Sequence, residues 1–231
     1  MRLINLTAFV FTGMMFTINS AQGIYLDSLI FDMEPQRDFI SISIRNDTNR
    51  SNFYSASAFR IDKPGDGNEY RVRDDEMEVI WSPLNFTNQA GKVSVFKFFY
   101  RGPKDNKERY YRMIFKESPV SLIPYKSKEK ITDAVPTVNI SVILVVRPRI
   151  AHVDYVLDSQ AGVLDNTGNS FFKVIIQKGC NGDDESSTQF YMLPGESYQS
   201  ESVRAKNKMF IVALGKYIPV GESCPENAVL K

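Results

Sequence analysis

The sequence predicts an all-β protein built from two β-sandwich domains. Short apolar stretches alternate with polar positions, clusters of Gly, Pro, Asn and Asp separate them, and no stretch has the spacing of a convincing amphipathic helix. With 231 residues, 43% of them hydrophobic and 24% charged, the chain is long enough for one large or two small domains. Its formal net charge of +1 argues against nucleic acid as a main partner.

The chain begins with a segment of the secretory type. A basic start precedes a mostly apolar stretch that ends at Ile18, and small residues follow at Ala21 and Gly23. This order predicts a signal peptide over residues 1–23, cut before Ile24 or just after Ala21. The competing interpretation is a transmembrane anchor, which the short stretch and the missing basic residue on its far side disfavour. We therefore expect an exported protein without stable membrane insertion.

Alternation and aromatic content predict a first domain over residues 24–148. Its expected strands span residues 40–45, 53–60, 78–82, 93–100, 110–115 and 138–146. Segment Ser118–Val135 contains prolines and many charges and few apolar residues, which predicts a long loop. The loop either lets the ordered length of the next strand vary or is a plain solvated connection.

A second domain is expected over residues 152–231, with Arg147-Pro148-Arg149 at the hinge. Its predicted strands include a short one before the turn at 165–169 and others at 171–177, 189–193, 210–214 and 216–220. The two cysteines of the chain, Cys180 and Cys224, both lie here. Exported proteins usually pair such cysteines, and a disulfide would stabilise a domain this small.

The last strand of the first domain is the most informative one. One of its two phases is wholly apolar, consisting of Val138, Ile140, Val142, Leu144 and Val146. Such a phase either packs inside its own domain or is lent to another protein.

No pattern of catalytic or ligand-binding residues accompanies these strands. The only histidine, His152, has no second histidine or cysteine at metal-ligand spacing, and neither a nucleophile motif nor a phosphate-binding glycine loop occurs. The sequence therefore predicts neither an enzyme nor a bound cofactor or metal.

Three segments resemble the periplasmic pilus chaperones, in particular the group that serves the common pilus of enterobacteria. These are Phe98–Arg112, Ile143–Arg149 and Leu164–Asn169, which follow one another in the order of that family. The resemblance implies two immunoglobulin-like domains set at an angle, a periplasmic location, and pilin subunits and an outer-membrane usher as partners. It also implies that a late strand of the first domain completes the fold of a pilin that lacks one strand.

The implied donor strand corresponds to the apolar phase described above. We expect Val138, Ile140, Val142 and Leu144 to fill the groove of the pilin. On this hypothesis Val142→Arg abolishes capture while the chaperone stays folded.

The family's basic anchor for the pilin carboxylate is not carried over. Its lysine position falls at Ile143 and its arginine position near Ile30, and both residues are apolar. Arg112, Arg101 and Lys97 are candidate substitutes, although each is also compatible with a solvated strand position. The family's interdomain ion pair corresponds to Glu108 and Arg147, while its third, acidic member has no clear match.

Two other classes of protein compete with the chaperone. Four Asn-x-Ser/Thr patterns after the predicted signal peptide, at Asn46, Asn49, Asn85 and Asn139, would suit a glycosylated secreted adhesion fragment, but a glycan on Asn139 would hinder strand pairing. A pilus-associated or secreted adhesin that binds carbohydrate or protein would need an aromatic platform. Tyr100, Tyr110 and Tyr111 could form one, although strand aromatics more often belong to a core.

Overall fold

The computed structural model describes residues 23–65, 69–73, 77–120, 137–183, 185–205 and 207–221. Sixteen strands and one helical turn occur in this part of the chain. The first nine strands form two sheets that enclose one core, and the last seven form two further sheets around a second core. The predicted all-β fold with two immunoglobulin-like sandwiches is confirmed.

The first sandwich consists of a four-stranded and a five-stranded sheet, in the orders β1-β3-β7-β5 and β2-β9-β8-β4-β6. Its strands are Ile24–Tyr25 (β1), Ile30–Met33 (β2), Phe39–Asn46 (β3), Asn52–Ile61 (β4), Val79–Ser82 (β5), Asn85–Asn88 (β6), Val93–Tyr100 (β7), Arg109–Pro119 (β8) and Val138–Val146 (β9). Every neighbouring pair is antiparallel except β2 and β9, which run parallel.

The second sandwich has sheets in the orders β10-β11-β14 and β13-β12-β15-β16. Its elements are Tyr155–Asp158 (β10), Val163–Asn166 (β11), Phe172–Gln177 (β12), Thr188–Met192 (β13), Ser197–Gln199 (β14), Glu201–Arg204 (α1), Lys208–Ala213 (β15) and Lys216–Val220 (β16). The helical turn α1 begins after Ser200, whose hydroxyl accepts from the Ser202 N–H.

The period-two pattern of the sequence explains the first core. Alternate residues of β3 and β7, including Ile42, Ile44, Phe96 and Phe98, are almost wholly buried. They pack against Tyr111, Met113 and Phe115 of β8 in the opposite sheet, and the aromatic rings of Phe98 and Phe115 meet edge-on. The six strands predicted for this half are all present, and β8 extends four residues further than expected.

A third apolar cluster lies where the two sandwiches meet. It consists of Ile61, Tyr110, Ile143 and Val145 from the first sandwich and Phe171 from the second. The four residues of the first sandwich lie on the outer face of the five-stranded sheet, and those of β8 and β9 are in the phase opposite to the core residues.

Some predictions concern residues outside the described part of the chain. The signal peptide, apart from Gly23, and the loop from residue 121 to 136 lie outside the described residues, as does Cys224. Ser118 and Pro119, which we expected in the loop, belong to β8.

Candidate functional site

The two edges of β9 differ in how they are covered. On one side β8 pairs with the strand over its whole length, from Val138 opposite Glu117 to Val146 opposite Arg109. On the other side β2 pairs only with Ile143–Val146. Among the described residues, no strand pairs with that side of Val138–Val142, which we call the open edge.

Backbone geometry identifies which groups the open edge presents. The Ile143 N–H points toward β2, because it donates to the Leu29 carbonyl at 2.9 Å. Successive residues of a strand face opposite edges, so Asn139 and Ser141 point their N–H and C=O groups to the same side as Ile143. The N–H groups of Ile140 and Val142 face β8 instead. The open edge is therefore a short template for a further strand.

The four predicted donor side chains fall into two groups. Val138 is 41% exposed and Ile140 is half-buried, whereas Val142 and Leu144 have no exposed surface. Val142 and Leu144 belong to the core of their own sandwich, where they pack with the residues of β8 and of the opposite sheet. The expectation that all four fill a pilin groove is thus wrong for these two. For the same reason Val142→Arg would not leave the protein folded, because it buries a charge in this core.

Of the three predicted basic residues, only Arg112 lies beside β9. It is opposite Ile143 in the register of β8 and β9 and lies on the outer face of the sheet. Its guanidinium forms a bidentate ion pair with Glu69, and Nη1 donates to the Ser141 hydroxyl at 3.2 Å. Lys97 is on β7 in the other sheet, and Arg101 follows the end of that strand.

Ile30 and Ile143, at the positions of the family's basic anchor, are direct neighbours in the β2–β9 pairing. They line a cavity of about 380 Å³ between the sandwiches, which we call the apolar cleft. Its other apolar lining residues are Pro64, Val145, Phe171, Tyr191 and Leu193. The cleft has no cationic lining residue among the residues described, so a carboxylate would find no charge partner inside it.

Glu108 and Arg147 are in contact at the junction of the sandwiches. Arg147 Nη1 lies 3.3 Å from Glu108 Oε2, and both side chains are almost fully buried. Each also contacts Phe171 of the second sandwich: its N–H donates to the Glu108 carboxylate at 3.0 Å, and its carbonyl accepts from Arg147 at 2.8 Å. The guanidinium also lies 3.7 Å from the centre of the Phe171 ring. This arrangement, the junction clamp, joins the two halves through one backbone residue.

The sequence did not reveal the third partner of the clamp, Asp32. Its carboxylate accepts from Arg147 Nε and Nη2 at 3.0 Å, and it comes from β2 rather than from the second domain. Burial raises the pKa of Glu108 above its ordinary value, although the Tyr110 hydroxyl and the Arg147 charge oppose that effect. A sequence signal for Asp32 is weak, because β2 has only four residues and pairs with a strand more than a hundred residues away.

The competing adhesin interpretation receives no support from its aromatic residues. Tyr100, Tyr110 and Tyr111 are all buried, at 4%, 7% and 0% exposure, and therefore present no platform to a sugar. Within the described ranges, no group of three or more His, Cys, Asp or Glu side chains is arranged to hold a metal ion. Nor does the described part of the chain contain a helix of sufficient length and apolarity to cross a membrane.

Comparisons with known proteins agree with this geometry. The chain is 34% identical over 205 residues to the probable fimbrial chaperone EcpE of Escherichia coli K12, which covers 88% of this chain and 86% of that protein. It is 29% identical over 209 residues to the probable fimbrial chaperone EcpB of Klebsiella pneumoniae strain 342, covering 88% and 93%. No protein-family model matches the chain.

Solved structures share the fold at low sequence identity. The chaperone DraB of Escherichia coli superposes with a TM-score of 0.54 at 12% identity, covering 87% of this chain and 96% of DraB. The class 5 fimbriae chaperone CfaA gives 0.53 at 13% identity, covering 86% and 97%. Together with the relatives at about one-third identity, the two-sandwich fold and the order of its motifs show that the chain belongs to the fimbrial chaperone family.

Proposed function

We propose that this chaperone captures a pilus subunit by adding its open edge to the incomplete sheet of that subunit. The observation that carries the proposal is the unequal pairing of β9: β8 pairs with the whole strand, whereas β2 begins opposite Ile143, just after the open edge ends. Asn139 and Ser141 offer main-chain hydrogen bonds at this edge, and strand addition uses such groups for affinity. The subunit would gain partners for its own unpaired edge and would no longer aggregate.

Val138 and Ile140 are the donor side chains in this proposal. Each is accessible, and they lie on the phase that continues into the core. Full burial of an aliphatic side chain contributes about 1.5–3 kcal/mol, so the two supply roughly 3–6 kcal/mol as an upper bound. A contribution of this size supports capture and still allows another strand to displace the donor later.

Arg112 is the proposed anchor for the terminal carboxylate of the subunit. It lies on the outer face beside Ser141, and its fork of donors suits a carboxylate bidentately. In the free chaperone Glu69 occupies that fork, so the incoming carboxylate would have to replace Glu69. Lys97 lies in the other sheet and Arg101 follows it in the chain, so neither is beside the open edge as Arg112 is.

The remaining features fit an exported assembly factor. We propose a signal peptide over residues 1–23, domains over 24–148 and 152–231, and a disulfide between Cys180 and Cys224. The relatives named as fimbrial chaperones support a periplasmic site of action, with delivery of the subunit to an outer-membrane usher. The junction clamp would keep the angle between the domains while the subunit is bound.

The test is periplasmic co-expression of the full chain with the pilin encoded beside this gene, followed by native mass spectrometry. We expect a one-to-one complex for the unaltered chain. Ser141→Pro should abolish it, because proline removes an N–H of the open edge but leaves the pairing with β8 intact.

Ser141→Ala is the matched control, since it removes the same hydroxyl and keeps the N–H. Equal recovery of pilin with the proline and alanine variants would contradict strand addition at this edge. Intact mass measurement of the same samples also tests the cleavage site and the disulfide.

A further inference from the structure

The apolar cleft begins where the open edge ends. β2 is parallel to β9 and starts at Ile30, next to Ile143, and the open edge covers the residues just before Ile143. A client strand that adds to the open edge therefore lies in line with β2. If it also runs parallel to β9, its C-terminal end points at the first residues of β2 and at the cleft.

The residues that line the apolar cleft disfavour a charged group inside it. Its walls are mostly aliphatic and aromatic, and Glu196 is the only carboxylate among its described lining residues, which include no cation. The Glu196 carboxylate already accepts from the Leu193 N–H at 2.8 Å, and it would repel a second carboxylate. A volume of about 380 Å³ at a domain interface is within the range of small-ligand pockets, so it can hold a large apolar side chain.

A cationic group lies directly beside this apolar space. Arg112 is the cross-strand neighbour of Ile143, and side chains at such positions are about 5 Å apart at Cβ. Both side chains are on the outer face, because the core residues Tyr111 and Leu144 occupy the opposite phase. One amino acid could therefore place a carboxylate on Arg112 and its side chain in the cleft.

We infer that the apolar cleft is a specificity subsite for a large apolar side chain at the C-terminal residue of the client subunit. The carboxylate of that residue replaces Glu69 on Arg112, while its side chain packs against Ile30, Ile143 and Phe171. The inference rests on the strand addition proposed above. On this inference the cleft recognises the apolar side chain of the C-terminal residue, and the carboxylate of that residue binds outside the cleft.

The decisive variant is Ile143→Lys, examined by co-expression with the neighbouring pilin. Lysine at this position would help to bind a carboxylate but would place a charge against the apolar walls of the cleft. We expect recovery of the complex to fall by roughly tenfold or more, because the side chain of the client would meet a desolvated ammonium group. Ile80→Lys, the same change at a half-buried site on the outer face of the other sheet, should leave recovery unchanged.

Increased or unchanged recovery with Ile143→Lys overturns the inference. Strand addition survives that result if Ser141→Pro still abolishes the complex, so the two hypotheses fail separately. If the unaltered chain forms no complex with any pilin encoded beside this gene, both hypotheses are overturned.

A change in the client keeps the test valid if Ile143→Lys does not fold. Replacing the last residue of the pilin by serine should lower recovery by roughly tenfold, as expected when an apolar pocket loses its side chain. Unchanged recovery, or a pilin whose natural last residue is charged or small, overturns the inference.

Discussion

The two halves of β9 share one apolar phase but have different surroundings. Val142–Val146, the covered half, is buried throughout and pairs with β2 from Ile143 onward. Val138–Ser141, the open half, is largely exposed and, among the described residues, pairs with β8 alone. The difference comes in part from β2, a strand of four residues that covers only one half. The start of β2 thus coincides with a change in the outer phase of β9, from the polar Asn139 and Ser141 to the apolar Ile143 and Val145. Together they separate the part that holds the domain together from the part that we propose is offered to a partner.

The covered half is also tied to the rest of the molecule. Arg147 follows it directly and carries the junction clamp, and Arg109, opposite Val146, is held by the Asp105 carboxylate at 2.6 Å. At the other end Val138 lies opposite Glu117, whose carboxylate accepts from Tyr54 inside the core. Changes in the covered half should therefore affect folding, and changes in the open half should affect capture.

The largest effect is expected for Val142→Arg in the covered half. A charge at a side chain with no exposed surface should lower the free energy of unfolding by more than about 4 kcal/mol, enough to unfold many domains. The measurement is soluble yield and urea unfolding followed by circular dichroism.

Val142→Ala is the matched control, because it removes two methyl groups from the core without adding a charge. It should fold with reduced stability. If the Val142→Arg protein folds with normal stability, the covered half of β9 is not needed for folding, and the proposed difference between the two halves is wrong.

The next largest effect is expected at the junction clamp. Glu108→Ala leaves Arg147 buried with Asp32 as its remaining carboxylate and removes the acceptor of the Phe171 N–H. Loss of one partner of a buried pair costs about 3–5 kcal/mol, and Asp32 should keep the loss near the lower value. Thermal unfolding measures the loss, and small-angle scattering should show a broader range of distances between the domains.

Glu34→Ala is the control for the clamp, since Glu34 pairs with Arg37 in an exposed ion pair of the same sandwich. Exposed pairs contribute about 0–1 kcal/mol. An unchanged scattering profile for Glu108→Ala would mean that the clamp does not set the domain arrangement.

The long strands could be predicted from the sequence because each satisfies a local rule. In β3 apolar residues alternate with polar ones over residues 40–45, β7 is rich in aromatic residues, and β9 is rich in β-branched residues. The short strands β1, β2, β6, β10 and β14 were not predicted, since two to four residues carry little pattern. β5 and β11 also have four residues, and β11 was predicted from the turn that follows it.

The candidate site could be predicted only in part for the same reason. The apolar phase of β9 was visible, but its division between core and donor depends on β2, which pairs with residues distant in the chain. The contact of Glu108 with Arg147 followed from the family resemblance. Asp32 and Phe171 joined it only in the structure, because tertiary packing brings them there.

A smaller effect is expected from pH at the covered end of β9. The Arg109 guanidinium holds the pKa of Asp105 well below its usual range, chiefly by hydrogen bonding. An acid with a lowered folded-state pKa adds stability above its unfolded value, about 3.9, and loses it as the pH falls below that value.

Unfolding measured between pH 3 and pH 7 should therefore show a decline on the acid side that Asp105→Asn makes shallower. The effect should be modest, because the Asp105 side chain is 42% exposed and solvent screens the pair. If the free energy of unfolding falls equally steeply at acid pH in both proteins, Asp105 is not a source of the decline.

The smallest effect on stability, with a large effect on capture, is expected for Val138→Arg in the open half. Val138 is 41% exposed, so arginine can extend into water and should change the free energy of unfolding by less than about 0.5 kcal/mol. In a complex the same side chain would enter the subunit's groove, where an unpaired charge is strongly unfavourable.

Val95→Arg is the matched control, because Val95 is 39% exposed on β7 in the other sheet. Co-purification with the neighbouring pilin should therefore fail for Val138→Arg and persist for Val95→Arg, and equal recovery would show that Val138 does not enter the groove.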